Sequence, residues 1–252
     1  MGLEANQKKE ISWSFDTITQ LVYNRDSKLD VIDFDQKNDT IAVYRSYYSC
    51  EYYVNIIRAH RAEIGNQVIV VKNYYKDFNS GKITHSNGSS ENFYEIINEN
   101  GKSGNDYNLS SQGFLFASIP TKIKTIGNKE TIDFSEAIFS SLGSIVYTLD
   151  SISSKNLAFI KGEFSLKDSP KLNLLDGYEY TGKGTVQKVF NLNSKRIQSV
   201  VEINQGHLIY NDSAKNRYRN AHYISSNKYV LIGENKYNGK SKIDNPDFII
   251  GR

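Results

Sequence analysis

Apolar and polar residues alternate along most of this chain, and that period of two decides its fold class. It is the pattern of a strand with one face toward a core and one toward solvent. Ile11-Ser12-Trp13-Ser14-Phe15 alternates without interruption, so a strand is expected there. Leu29 to Phe34 and Thr40 to Tyr44 are two more candidate strands. The residues between them, Asp35-Gln36-Lys37-Asn38-Asp39, have turn chemistry, so the pair reads as a β-hairpin.

Residues 51–64 fit a helical stripe or a strand equally well. The strand-like Gln67 to Tyr75 that follows favours a long hairpin, with its turn placed at Gly65-Asn66. Asn79-Ser80-Gly81-Lys82 reads as a further turn. Residues 85–113 are rich in loop formers around a short strand at Phe93 to Ile97. The best helix lies over 134–149, where Ile138, Leu142, Ile145, Val146 and Leu149 form an apolar stripe. Beyond residue 155 strands are expected at Leu157–Leu166, Gly184–Leu192, Ile197–Ile203, His207–Tyr210, His222–Ile224 and Tyr229–Ile232. Compact turns are expected at Asn193-Ser194-Lys195 and Asn204-Gln205-Gly206. The fold expected is mainly β: an antiparallel sandwich, or a curved open sheet or barrel, with one or two helices. A flexible segment over 1–10 would precede a single β-rich domain over 11–252.

Composition narrows the function classes. The chain has 252 residues, with 18 Tyr and 12 Phe, enough aromatic surface for a sizeable core. Its 26 Asn and 28 Ser, against only 3 Pro, mean that turns rely on Asn, Ser, Asp and Gly. A net charge of +3 is low for a dedicated nucleic-acid binder. No apolar run approaches the ~18 residues of a membrane-spanning helix. The single cysteine, Cys50, excludes an internal disulfide and a cysteine-rich zinc site. The polar stretch Glu4 to Lys9 would suit a tether behind a signal peptide or lipid anchor. An extracytoplasmic location is therefore favoured over a cytoplasmic one.

No catalytic motif is complete. Gly177-Tyr178-Glu179-Tyr180-Thr181-Gly182-Lys183-Gly184 follows a phosphate-loop pattern, but Gly184 stands where a hydroxyl would hold the metal ion. The residues after it read as strand rather than helix, which favours a glycine-containing turn. Glu234 and Lys236 follow an apolar strand in an E-x-K arrangement. With Asp212 upstream they could serve a metal-dependent nuclease, the carboxylates holding an ion beside an activated water. The bland reading of Glu234 and Lys236 is an exposed edge-strand charge pair. Asp30, Asp33, Asp35 and Asp39 cluster at the first hairpin, but Lys37 breaks a calcium-loop spacing. The histidines are His60, His85, His207 and His222. None is spaced for a compact metal site, although His207 and His222 could meet across adjacent strands. Aromatic and basic residues interleave at Tyr74, Tyr75, Arg217, Tyr218 and Arg219, the side chains best suited to hold a ligand.

The sequence therefore points to a non-enzymatic bacterial envelope or secreted protein, binding or structural, that presents loops on a β scaffold. Its partner would be a protein or a polysaccharide rather than a nucleic acid, and no cofactor or metal is expected. The alternatives are a nuclease-like enzyme built on the E-x-K strand and a cytosolic interaction protein of phage or toxin-neutralising type.

Overall fold

The computed structural model describes residues 11, 19–58, 64–77, 83–87, 92–96, 119–120, 125–136, 141–168, 178–212 and 217–236. Among these, all regular structure is antiparallel strand. In chain order the strands are β1 (Thr19–Phe34), β2 (Thr40–Arg58), β3 (Ile64–Asp77), β4 (Ile83–Asn87), β5 (Asn92–Ile96) and β6 (Lys129–Glu136). Then follow β7 (Ser141–Ile152), β8 (Leu157–Asp168), β9 (Tyr178–Asn191), β10 (Arg196–Asp212) and β11 (Arg217–Lys236). They form one sheet in the order β4-β3-β2-β1-β11-β10-β9-β8-β7-β6, with β5 pairing Gly65 to Ile69 of β3 and β4 pairing Lys72 to Lys76. Of the two architectures expected, the open sheet is the one found.

Two meanders make this sheet, one from β1 to β5 and one from β6 to β11. They join where the first strand pairs with the last, from Thr19↔Lys236 to Phe34↔Asn220. Bulges interrupt the ladders at Val22/Tyr23, Glu51/Tyr52, Leu149/Ser151 and Ile197/Ser199, and each sharpens the local twist. β5 and β6 lie toward opposite edges of the sheet. Ile119, between them in the chain, is fully buried in the core, as is Ile11 from before β1.

The core lines one face of the sheet. It is built from Leu21 and Tyr23, Val54, Ile132, Ile145 and Tyr147, Ile160 and Phe164, Val186 and Phe190, Val200 and Tyr229. Each large apolar side chain removed from water contributes roughly 1.5–3 kcal/mol. Alternation is strict along β8, where Ala158, Ile160, Gly162, Phe164 and Leu166 are buried and Phe159, Lys161, Glu163 and Ser165 are exposed.

Several expectations are corrected. The stretch 134–149 is not a helix: its described residues are the end of β6 and most of β7. Ile145, Tyr147 and Leu149 point to the core while Ser144, Val146 and Thr148 are half-buried on the other face. The β-branched and aromatic run Ile145 to Thr148 outweighs the helical stripe. Asn204-Gln205-Gly206 is not a turn but the middle of β10. Four expected short strands are in fact two long ones, β10 and β11. Gly65-Asn66 is not a turn, because Gly65 pairs Ile57 and Asn66 pairs Ile56 within the β2–β3 ladder. The strand at 11–15, the turn at 79–82 and the segment 1–10 fall wholly or almost wholly outside the described residues.

The phosphate-loop look-alike is also ladder rather than loop. From Tyr178 onward it belongs to β9, with Gly182 opposite Gly206 and Gly184 opposite Asn204. These glycines make room for rings. A Cβ on Gly206 would lie 2.0 Å from Tyr223 Oη and 2.4 Å from the Thr181 carbonyl. The turns at Asp35 to Asp39 and Asn193 to Lys195 do form as expected. Asp35 Oδ1 accepts the backbone N–H groups of Lys37 and Asp39, each at 2.8 Å, while Asn38 takes a left-handed φ of 66°.

Candidate functional site

Period two places the residues of β8 to β11 that do not face the core on an outer face. There Ser165, Thr181, Lys183, Gln205, His207 and His222 line an open groove of about 530 Å³. The ladder explains the grouping. Ser165 pairs Lys183, Lys183 pairs Gln205, Thr181 pairs His207, and His207 stands directly opposite His222. Gly182 and Gly206 also lie among the lining residues. Among the described residues, the lining carries one lysine and two histidines and no Asp or Glu.

His207 is held from its far side. Its Nε2–H donates to Asn220 Oδ1, and Asn220 Nδ2 donates to Asn38 Oδ1 at 3.1 Å. Asn220 is buried, so the β1–β2 turn reaches through it to set the ring of His207. This leaves Nδ1 as the ring nitrogen not engaged with Asn220.

A second polar group lies inside the core. Lys188 and Glu202 are exposed by only 1% and 2%. They are diagonal neighbours on β9 and β10, since Lys188 pairs Val200 and Glu202 pairs Val186. Lys188 Nζ sits 5.2 Å from the centre of the Tyr147 ring. Glu202 Oε2 accepts Asn227 Nδ2 at 3.2 Å, and Asn227 Oδ1 accepts Ser27 Oγ and, at 3.3 Å, Arg25 Nη2. Glu202 Oε1 and Asn204 Oδ1 are buried acceptors that receive no hydrogen bond. Burial pushes the Glu202 carboxyl up to about 7, with Lys188, Arg25 and the Asn227 bond pulling against it. Burial likewise drives the Lys188 amine down to about 7, opposed by Glu202. A perturbed pair of this kind marks an active site when it lines a cleft. This pair lies within the packed face, where it acts on stability.

The structure separates the residues singled out from sequence. Asp212 ends β10 opposite Arg217, whereas Glu234 and Lys236 lie at the far end of β11, opposite Leu21 and Thr19. At ~3.3 Å per residue, the length of β11 puts Asp212 and Glu234 roughly 55 Å apart. The three do not come together in one chain. Glu234 and Lys236 are exposed, on a central strand rather than an edge. Tyr74 and Tyr75 lie on β3, opposite Ser49 and Tyr48, with β2 and β1 between them and β11. Tyr218 is exposed on β11, remote from that pair. Arg219 is taken up by Asp33, which accepts its Nε at 3.1 Å and Nη2 at 3.4 Å. Of the first-hairpin aspartates, Asp35 closes its own turn and Asp33 holds Arg219. Among the described residues no group of three or more His, Cys, Asp or Glu could hold a metal ion.

Two features went unread in the sequence. Lys183, Thr181 and Gln205 were hidden by the loop-like glycines around them. Lys188 and Glu202 had a usable signal: each falls at the inward parity of its strand, with Val186 and Phe190 or with Val200. The chain matches no known protein-family model and no curated protein.

Proposed function

We propose that this chain is a non-enzymatic binding protein of the envelope or secreted kind. Its ligand is an acidic polysaccharide held across β8 to β11 in the outer groove. The carrying observation is the groove lining: Lys183, His207 and His222 beside Ser165, Thr181 and Gln205, with no carboxylate among them. Hydroxyl, amide and imidazole side chains match sugar hydroxyls, and the Lys183 ammonium matches a uronic-acid carboxylate. The dispersal of Asp212, Glu234 and Lys236 along β11 favours binding over the nuclease reading. Calorimetric titration with a uronic-acid oligosaccharide and its neutral counterpart tests the proposal. The acidic oligomer should bind and the neutral one should not, and Lys183→Ala should weaken binding roughly fivefold. Equal binding of both oligomers, or turnover of either, would refute it.

A further inference from the structure

We infer that His207 and His222 form a two-nitrogen chelate for a divalent transition-metal ion of the imidazole-preferring kind, copper(II) above all. The two histidines stand directly opposite each other on β10 and β11. Opposed side chains on a ladder have Cβ atoms about 4.5–5.5 Å apart, which lets two imidazoles converge on an ion with bonds near 2.0–2.1 Å. Both rings are half-buried and line the groove, so a metal ion can reach them from solvent.

The hydrogen bonds behind His207 prepare it for this role. Asn220 donates through Nδ2 to Asn38 and so turns Oδ1 toward His207. His207 must then carry its proton on Nε2, which places the lone pair on Nδ1. An outer partner that fixes the tautomer and orientation is the usual companion of a metal-bound histidine. No third His, Cys, Asp or Glu joins the pair among the described residues, so the remaining positions on the ion are open to water or an anion. With imidazole as the only protein donor, copper, nickel and zinc are favoured over magnesium and calcium. Lys183 lies diagonal to His207 across β9 and β10, and its charge opposes the ion.

Calorimetry of the full chain with copper(II) alone, together with electron paramagnetic resonance of the loaded protein, tests the site. No saccharide is present, so the result is independent of the proposed ligand. The resonance should show two nitrogen donors at one saturable site. His222→Gln and His207→Gln should each weaken that site at least about tenfold. The paired changes His60→Ala and His85→Ala should leave it intact. Asn220→Asp, which keeps the acceptor and adds charge, should tighten it roughly tenfold, and Lys183→Ala should tighten it about threefold. Circular dichroism and a thermal melt establish that each variant is folded. The wild-type resonance stands apart from any variant: a single-nitrogen signal, or affinity unchanged in folded His222→Gln, overturns the inference.

Discussion

Lys188 and Glu202 show how far one pair of residues can set the behaviour of a core. Both belong to a face otherwise lined by Tyr147, Val186, Val200 and Tyr229. Removing one partner strands the other charge, so Lys188→Met or Glu202→Leu alone should cost about 3–5 kcal/mol. Changing both together should be near neutral or stabilising. Denaturant melts of the two single variants and the double one close the cycle. The pair also predicts a pH profile. Glu202 titrates near 7 when folded against 4.5 unfolded, so its contribution is full below 4.5 and lost as pH rises through 7. Lys188 titrates near 7 when folded against 10.5 unfolded, so its contribution is full above 10.5 and lost as pH falls through 7. Together they place a minimum in their share of the stability near neutrality. Melts between pH 5 and 10 should show that dip in the wild type and not in the double variant.

At the scale of the element, turns and alternation were legible and glycines were not. The hairpin of β1 and β2 could be read because Asp35 and Asn38 have only one use between two alternating runs. The 134–149 helix failed because Ile145 and Leu149 fit both periods, and only packing against Phe164 and Ile160 across β8 chooses between them. Gly182, Gly184 and Gly206 read as turn residues in the sequence, yet in a sheet this tightly packed they are the spaces under neighbouring rings. Gly206→Ala should therefore destabilise by about 1–3 kcal/mol. A Tyr223→Ala background should not restore the loss, since the Thr181 carbonyl still crowds the new methyl. Lys195 makes the opposite case. It closes the β9–β10 turn at a φ of 54°, where a side chain costs roughly 1–2 kcal/mol. Lys195→Gly should raise the thermal midpoint slightly, the relief of that strain outweighing the added freedom of the unfolded chain.

Across the whole molecule, the sequence revealed the antiparallel meander but not its closure. Nothing local says that residue 19 pairs residue 236, because that register rests on two strands reached from opposite ends of the chain. The groove shares this limit. His207 and His222 were visible as a possible pair, but their company with Lys183 and Ser165 depends on four strands in order. A sheet joined by its first and last strands is rich in distant contacts, so folding should be slow, on a millisecond-to-second scale. Stopped-flow refolding checks this, and Tyr23→Phe probes the joint itself. Tyr23 Oη donates to the buried carbonyl of Ile197 at 2.9 Å across that joint, and losing this bond should cost about 1–3 kcal/mol.

The pairing of Thr19 with Lys236 also fixes how the molecule would answer a pull. Force applied at these two positions acts across the strands, along the hydrogen bonds, and loads the β1–β11 ladder one bond at a time. The seam would open like a zipper at low force and part the two meanders in the middle of the sheet. Pulling instead between residue 19 and the far end of β11 would load the same bonds in shear, all together, and the sheet would hold to a much higher force.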